Sequence, residues 1–217
     1  MKVSIIRFPG TNCEFDTQFA FSKLGIKAEI LWHEQESFNA DLVVLAGGFS
    51  YGDYLRCAAI AKVSPIMKAV KEHAKKGGYI LGICNGFQML LELKLLKGGM
   101  IKNKNLNFIS KIQKLRVINN DNIFLKNFNK DDIIKLPIAH GEGNYYIDDD
   151  GAKFLQDNQM ILLKYIDNPN GSVCDIAGIC DENKKIFGLM PHPERACDDI
   201  LGSKIGLKML EGFINWK

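Results

Sequence analysis

The sequence has few of the features that mark the common binding classes. It holds no apolar run near the ~20 residues that span a bilayer. Its apolar start, Val3-Ser4-Ile5-Ile6, is cut by Arg7 and Pro9 and is too short for a signal-peptide core. A cytoplasmic protein without a membrane segment is therefore expected. It has no excess charge of one sign: 28 Lys and Arg face 25 Asp and Glu, a net +3. That balance gives nucleic acid or a membrane surface nothing to hold. Neither a Walker A pattern nor a G-x-G-x-x-G occurs, so nucleotide binding has no support in this chain. The 6 cysteines include no C-x-x-C pair, which argues for free thiols rather than a disulfide framework. Asn170-Gly171-Ser172 matches a glycosylation sequon, but a cytosolic chain does not meet that machinery. Repeats, low-complexity tracts and linkers are missing too, and one domain over residues 1–217 follows.

What is present is alternation. Strands are predicted at Val3–Phe8, Ala28–Trp32, Asp41–Ala46 and Tyr79–Ile83, with continuous apolar runs suited to parallel strands covered on both faces. Between them, helical spacing runs through Phe15, Phe19 and Leu24 to a stop at Gly25. A second helix is signalled by Ser64-Pro65 and ends at Gly77-Gly78. This is the pattern of an α/β fold, a doubly wound, mostly parallel sheet with helices on both faces. Residues 101–136, rich in Lys, Asn and Ile with alternation near Lys111–Val117, read as a β-containing insertion. Pro137–Tyr146 reads as a glycine-rich loop. Strands at Met160–Tyr165, Ile176–Cys180 and Ile186–Met190 precede a last helix with Ile205, Met209, Leu210 and Phe213 on one face.

The chemistry gathers at strand ends. Gly82-Ile83-Cys84-Asn85-Gly86 joins a strand to a helix as G-x-C-x-G, the form of a nucleophile elbow with sulfur in place of oxygen. Glycines are needed there because a Cβ on either side would meet the backbone doubling back. The helix start sets Cys84 where the macrodipole attracts negative charge. A thiol nucleophile needs a base, and the base needs a partner to fix its tautomer. Pro191-His192-Pro193-Glu194 follows an apolar strand and supplies both; in extended geometry the two side chains point the same way. His140-Gly141-Glu142 is the rival His-x-acid pair, set second because no buried strand directly precedes it. His73 reads as part of a solvated helix face and His33 as structural or loop-lining. Although His-x-Glu also begins the zinc deaminase signature, the companion P-C-x-x-C is missing, so no metal is expected. An oxyanion would need amides already in place. Those of Asn85 and of the Gly47-Gly48 loop are the natural pair.

These motifs resemble the triad (class I) glutamine amidotransferase family, with its flavodoxin-like sheet. Cys84 in its elbow, Gln88 four residues on and the later His192-x-Glu194 carry the likeness. Arg7–Cys13, Phe49-Ser50-Tyr51-Gly52-Asp53-Tyr54, His140-Gly141-Glu142-Gly143 and Asn168–Ser172 resemble the branch whose members serve purine biosynthesis. The resemblance implies Cys84 as nucleophile, His192 as base then acid, and Glu194 as its orienting partner. It places the oxyanion at the amides of Gly48, Phe49 and Asn85, sets Gln88 against the glutamine substrate, and lets His140 line the pocket. It implies a glutaminase whose ammonia passes to a large synthetase subunit, alongside a small accessory subunit. Glutamine would be converted to glutamate, and formylglycinamide ribonucleotide to its amidine. No cofactor is implied in this chain; ATP and magnesium belong with the synthetase. The same motifs also permit a stand-alone cysteine hydrolase, a peptidase or γ-glutamyl hydrolase. A non-catalytic protein keeping the fold is a third reading.

Overall fold

The computed structural model describes residues 1–214; positions 215–217 of the predicted domain lie outside the described residues. A nine-stranded sheet runs in the order β2 (Glu29–Trp32), β1 (Val3–Arg7), β3 (Leu42–Leu45), β4 (Tyr79–Ile83), β11 (Ile186–Leu189), β10 (Ile176–Cys180), β9 (Ile161–Tyr165), β6 (Ile109–Val117), β7 (Ile133–His140). The strands from β2 to β11 are mutually parallel; β10, β9, β6 and β7 continue the sheet by antiparallel pairing. The four side chains of β3 are all buried, as a strand covered on both faces requires. Each such side chain contributes roughly 1.5–3 kcal/mol of burial. A two-stranded ribbon pairs β5 (Gly99–Ile101) with β8 (Asn144–Tyr146).

Helix α1 (Glu14–Lys23) links β1 to β2, and α2 (Ile66–Lys75) links β3 to β4. The two crossovers run in opposite directions along the sheet, so right-handedness puts their helices on opposite faces. Helix α3 (Asn85–Glu92) packs on β3, β4 and β11, while α5 (Ile205–Leu210) touches α1. A further helix, α4 (Asp149–Asp157), opens on Asp148, whose carboxylate accepts from the Gly151 amide at 2.8 Å. Among the described residues no helix is long and apolar enough to cross a membrane.

Four local expectations are corrected. Phe15 and Phe19 do not face the core: they are 58% and 44% exposed, and the buried stripe of α1 is Glu14, Thr17, Ala20 and Phe21. Glu14 turns inward because Arg7 pairs with it at 2.9 Å, while cationic groups of Arg7 and Lys23 cover the outer rings. Ser64 makes no side-chain cap for α2; its hydroxyl meets the Tyr51 hydroxyl at 2.9 Å. His73 is half-buried rather than solvated, packed on Gly78 and donating to the Tyr79 carbonyl at 3.1 Å. Pro137–His140 is the end of β7 rather than loop.

The β content expected in 101–136 is present, and it extends the main sheet. β6 presents Gln113, Leu115 and Val117 inward, and β7 presents Ile134, Leu136, Ile138 and His140. β7 is a sheet edge, the position where a proline such as Pro137 is tolerated. The sheet curls far enough that this edge returns to the end of β11: the Pro137 carbonyl accepts from the His192 amide at 2.8 Å.

Candidate active site

Cys84 sits between β4 and α3 with φ 51 and ψ −105, a strained conformation for a residue with a side chain. Such strain costs on the order of 1–3 kcal/mol and survives only where the surroundings impose it. Here they do. A Cβ on Gly86 would lie 1.9 Å from the Leu45 carbonyl oxygen, and one on Gly82 would lie 2.6 Å from that of Gly86. The Cys84 amide donates to the Leu189 carbonyl at 2.8 Å, tying the elbow to the neighbouring strand. Its sulfur is buried, and the side chain lies 3.7 Å from the Ala139 carbonyl of β7.

β4 and β11 are paired in parallel with Ile83 opposite Leu189, so Cys84 and His192 leave the sheet side by side at carboxyl ends. The His192-Pro193-Glu194 segment is not extended: Pro193–Arg195 forms a 3-10 turn. The turn still delivers the pair, with His192 Nδ1 2.6 Å from Glu194 Oε1. Burial opposes charging of His192, but Glu194 and then the Cys84 sulfur outweigh it and hold the imidazole pKa well above its ordinary value. His192 Nε2 and Glu194 Oε2 are buried without a hydrogen-bond partner.

The amides expected to meet an oxyanion divide. Phe49 is not available, because its N–H already donates to the Gly10 carbonyl at 3.0 Å. Among the described residues no backbone hydrogen bond takes the amides of Gly48 or Asn85. Gly48 has φ 141, and a Cβ there would come within 2.6 Å of the Asn12 nitrogen. The Asn85 side chain accepts from the Ser50 amide at 3.1 Å and donates to Gln88 Oε1 at 2.8 Å. Gln88 in turn donates to the Glu142 carbonyl at 2.6 Å. Both halves of the Gln88 amide are thus engaged, locking the helix to the loop after β7.

His140 and Glu142 do not pair as His192 and Glu194 do. Glu142 turns to the Cys57 amide at 3.3 Å, while His140 Nδ1 donates to Asn103 Oδ1 at 3.1 Å. Burial, reinforced by the charge of His192, pushes the His140 pKa down to about 4, leaving it neutral at neutral pH. His33 is structural, held by Tyr51 at 3.0 Å.

Three contributors were not singled out in the sequence. Asn103 is fully buried and bonds His140 twice, through ring and carbonyl, and also the Gly143 amide. Nothing in its Lys- and Asn-rich surroundings marks it. The Ala139 carbonyl carries no side-chain signal. Cys13 begins α1 and lies beside the His192–Glu194 pair, its sulfur 3.2 Å from Arg195 Nη2. Its place against Gly47 depends on the fold. Surface hollows of about 480 Å³ around Asn119 and Lys164 and about 560 Å³ around Lys104 and Asn168 take no wall from Cys84, His192 or Glu194.

The model of the CobB/CobQ-like glutamine amidotransferase domain matches residues 1–216. The phosphoribosylformylglycinamidine synthase subunit PurQ of Campylobacter jejuni is 73% identical over 214 residues, covering 99% of this chain and 96% of that one. That of Sulfurimonas denitrificans is 58% identical over 222 residues, covering 99% of both. A chain in the structure of PurLQS from Thermotoga maritima superposes with a TM-score of 0.91 at 38% identity, over 99% of this chain and 98% of that chain. With the elbow, the His-x-Glu pair and the open amides in one place, the chain belongs to the glutamine amidotransferase family and, within it, to the PurQ subunits of phosphoribosylformylglycinamidine synthase.

Proposed function

We propose that this chain is the ammonia-producing subunit of a cytoplasmic phosphoribosylformylglycinamidine synthase in purine biosynthesis. Cys84 attacks the side-chain carboxamide of glutamine, and the oxyanion that forms is met by the Gly48 and Asn85 amides. His192 takes the thiol proton and returns it to the leaving nitrogen, so ammonia departs and a γ-glutamyl thioester remains. Water, deprotonated by His192, then releases glutamate and restores the thiol. Glu194 holds the tautomer and the charged form of His192. Gln88 and His140 shape the pocket from α3 and β7. The ammonia passes to a large synthetase subunit that uses ATP and magnesium to convert formylglycinamide ribonucleotide to the amidine, with a small accessory subunit completing the assembly.

The observation that carries this reading is the strained Cys84 at a strand end beside the hydrogen-bonded His192–Glu194 pair. Cys84 is only 5% exposed. A site so covered fits a glutaminase that opens on assembly rather than a free-standing peptidase or γ-glutamyl hydrolase. In the reconstituted complex, Cys84→Ala abolishes synthesis from glutamine and spares synthesis from added ammonia. Glutamine-dependent synthesis persisting in that variant would defeat the proposal.

A further inference from the structure

Gly47 marks a point where three side chains converge. A Cβ placed on it would lie 2.9 Å from His192 Cε1, 3.3 Å from Cys13 Sγ and 3.4 Å from Cys84 Cβ. The missing side chain therefore leaves room between the acid–base pair and a thiol for which the reaction has no use. Cys13, His192 and Glu194 each bring one ligand atom to within 4.8 Å of the others, and all three residues are buried. His192 Nε2 and Glu194 Oε2 are both buried there without a hydrogen-bond partner, and the imidazole is held toward its charged form.

We propose that Cys13, His192 and Glu194 form an inhibitory site for one soft divalent cation of the zinc class. Thiolate, imidazole and carboxylate are the ligand set that zinc prefers, with bonds of about 2.0–2.3 Å. Those lengths place tetrahedral ligands about 3.3–3.8 Å apart, so an ion has to draw the sulfur inward and open the 2.6 Å His192–Glu194 hydrogen bond. On the α1 side a hollow of about 340 Å³, lined by Asp16, Phe19, Glu194, Arg195 and Leu201, reaches Glu194. Binding releases to solvent both the Cys13 thiol proton and the proton of the charged His192 ring, and no electrons move. The opposing charge is Arg195, next to the sulfur but also paired with Asp16 at 3.1 Å. It holds the affinity below that of a closed structural zinc site. An ion here occupies the lone pair or the carboxylate that proton transfer requires, so a loaded chain is silent. The inhibition rests on the glutaminase reading; the binding does not.

Calorimetric titration of the full chain with Zn²⁺ tests the binding, with Co²⁺ as the spectroscopic probe. One ion binds per chain in the wild type and in Cys84→Ala. In Cys13→Ser and in Cys13→Ala binding weakens by roughly tenfold or more, and the thiolate-to-cobalt absorption disappears. Two substitutions at Cys13, each checked by circular dichroism, cover the case in which one fails to fold. In the assembled complex zinc suppresses glutamine-dependent synthesis, a chelator restores it, and Cys13→Ser loses a smaller share of its own zinc-free rate. Binding that vanishes in Cys84→Ala yet survives in both Cys13 variants puts the ion on the elbow and overturns the proposal, as does no binding at all. A Cys84→Ala complex still using glutamine would fail the functional reading alone and leave the metal site standing.

Discussion

His192 Nδ1 and Glu194 Oε1 lie 2.6 Å apart, with the two side chains only 2% and 0% exposed. Such a pair cannot be loosened by solvent, so the carboxylate sets both the orientation and the proton affinity of the ring. Replacing Glu194 by Gln keeps the shape and removes the charge. Glutamine hydrolysis in the assembled complex falls by about a hundred- to ten-thousand-fold. Because Glu194 raises the His192 pKa, the acid limb of the pH–rate profile also moves to lower pH. A profile that keeps its position would show that the charge is unimportant.

His140 makes the fold acid-sensitive. Its pKa is about 4 in the folded chain, against about 6.5 when exposed, so the unfolded chain binds more protons between those values. Stability from this residue is complete above pH ~6.5 and is lost as pH falls through about 4, on the order of 3 kcal/mol in total. His140→Gln, followed by urea unfolding at several pH values, loses less stability across that window than the wild type. Parallel loss in both proteins would rule this account out.

Gly86→Ala tests the elbow. Its Cβ would press 1.9 Å from the Leu45 carbonyl oxygen, a backbone atom that cannot step aside. The expected cost is about 1–3 kcal/mol from overpacking, seen as a lower denaturation midpoint. Hydrolysis drops further than stability, because displacing α3 moves the Asn85 amide away from Cys84. A fully active, fully stable variant would mean that the cradle is dispensable.

Asn103→Ala strips His140 of its ring and carbonyl partners and Gly143 of its acceptor. Each buried group left unsatisfied costs about 1–3 kcal/mol. Hydrogen exchange is expected to rise first in the 140–143 turn, whose amides lose their anchor. Unchanged protection there would assign Asn103 no structural part.

The parallel half of the fold and the strand-end placement of Cys84, His192 and Glu194 were legible because each rests on local chemistry. Apolar runs define β3 and β4, and a G-x-C-x-G has few other uses. Legibility failed where a distant contact decides the outcome. Phe15 and Phe19 have helical spacing, yet Arg7 draws Glu14 inward and turns that face to solvent. The Phe49 amide is claimed by Gly10, from another turn of the chain. Pro137–His140 looked like loop because it opens on a proline and runs into Gly141 and Gly143, and only the pairing with β6 makes it a strand. His192 and Glu194 meet through a 3-10 turn rather than the extended geometry that spacing alone allows.

The strand order holds a consequence for synthesis. β4 and β11 are neighbours in the sheet although one ends at Ile83 and the other begins at Ile186. A chain emerging from the ribosome carries Cys84 long before it carries His192. On the proposed mechanism the nascent protein is inert toward glutamine until residues 192–194 have been made. Pairing at such separation is also slow to form, and the Pro137 carbonyl can close over His192 only once both halves of the sheet have met. Competence thus arrives in a single late step, together with the finished fold.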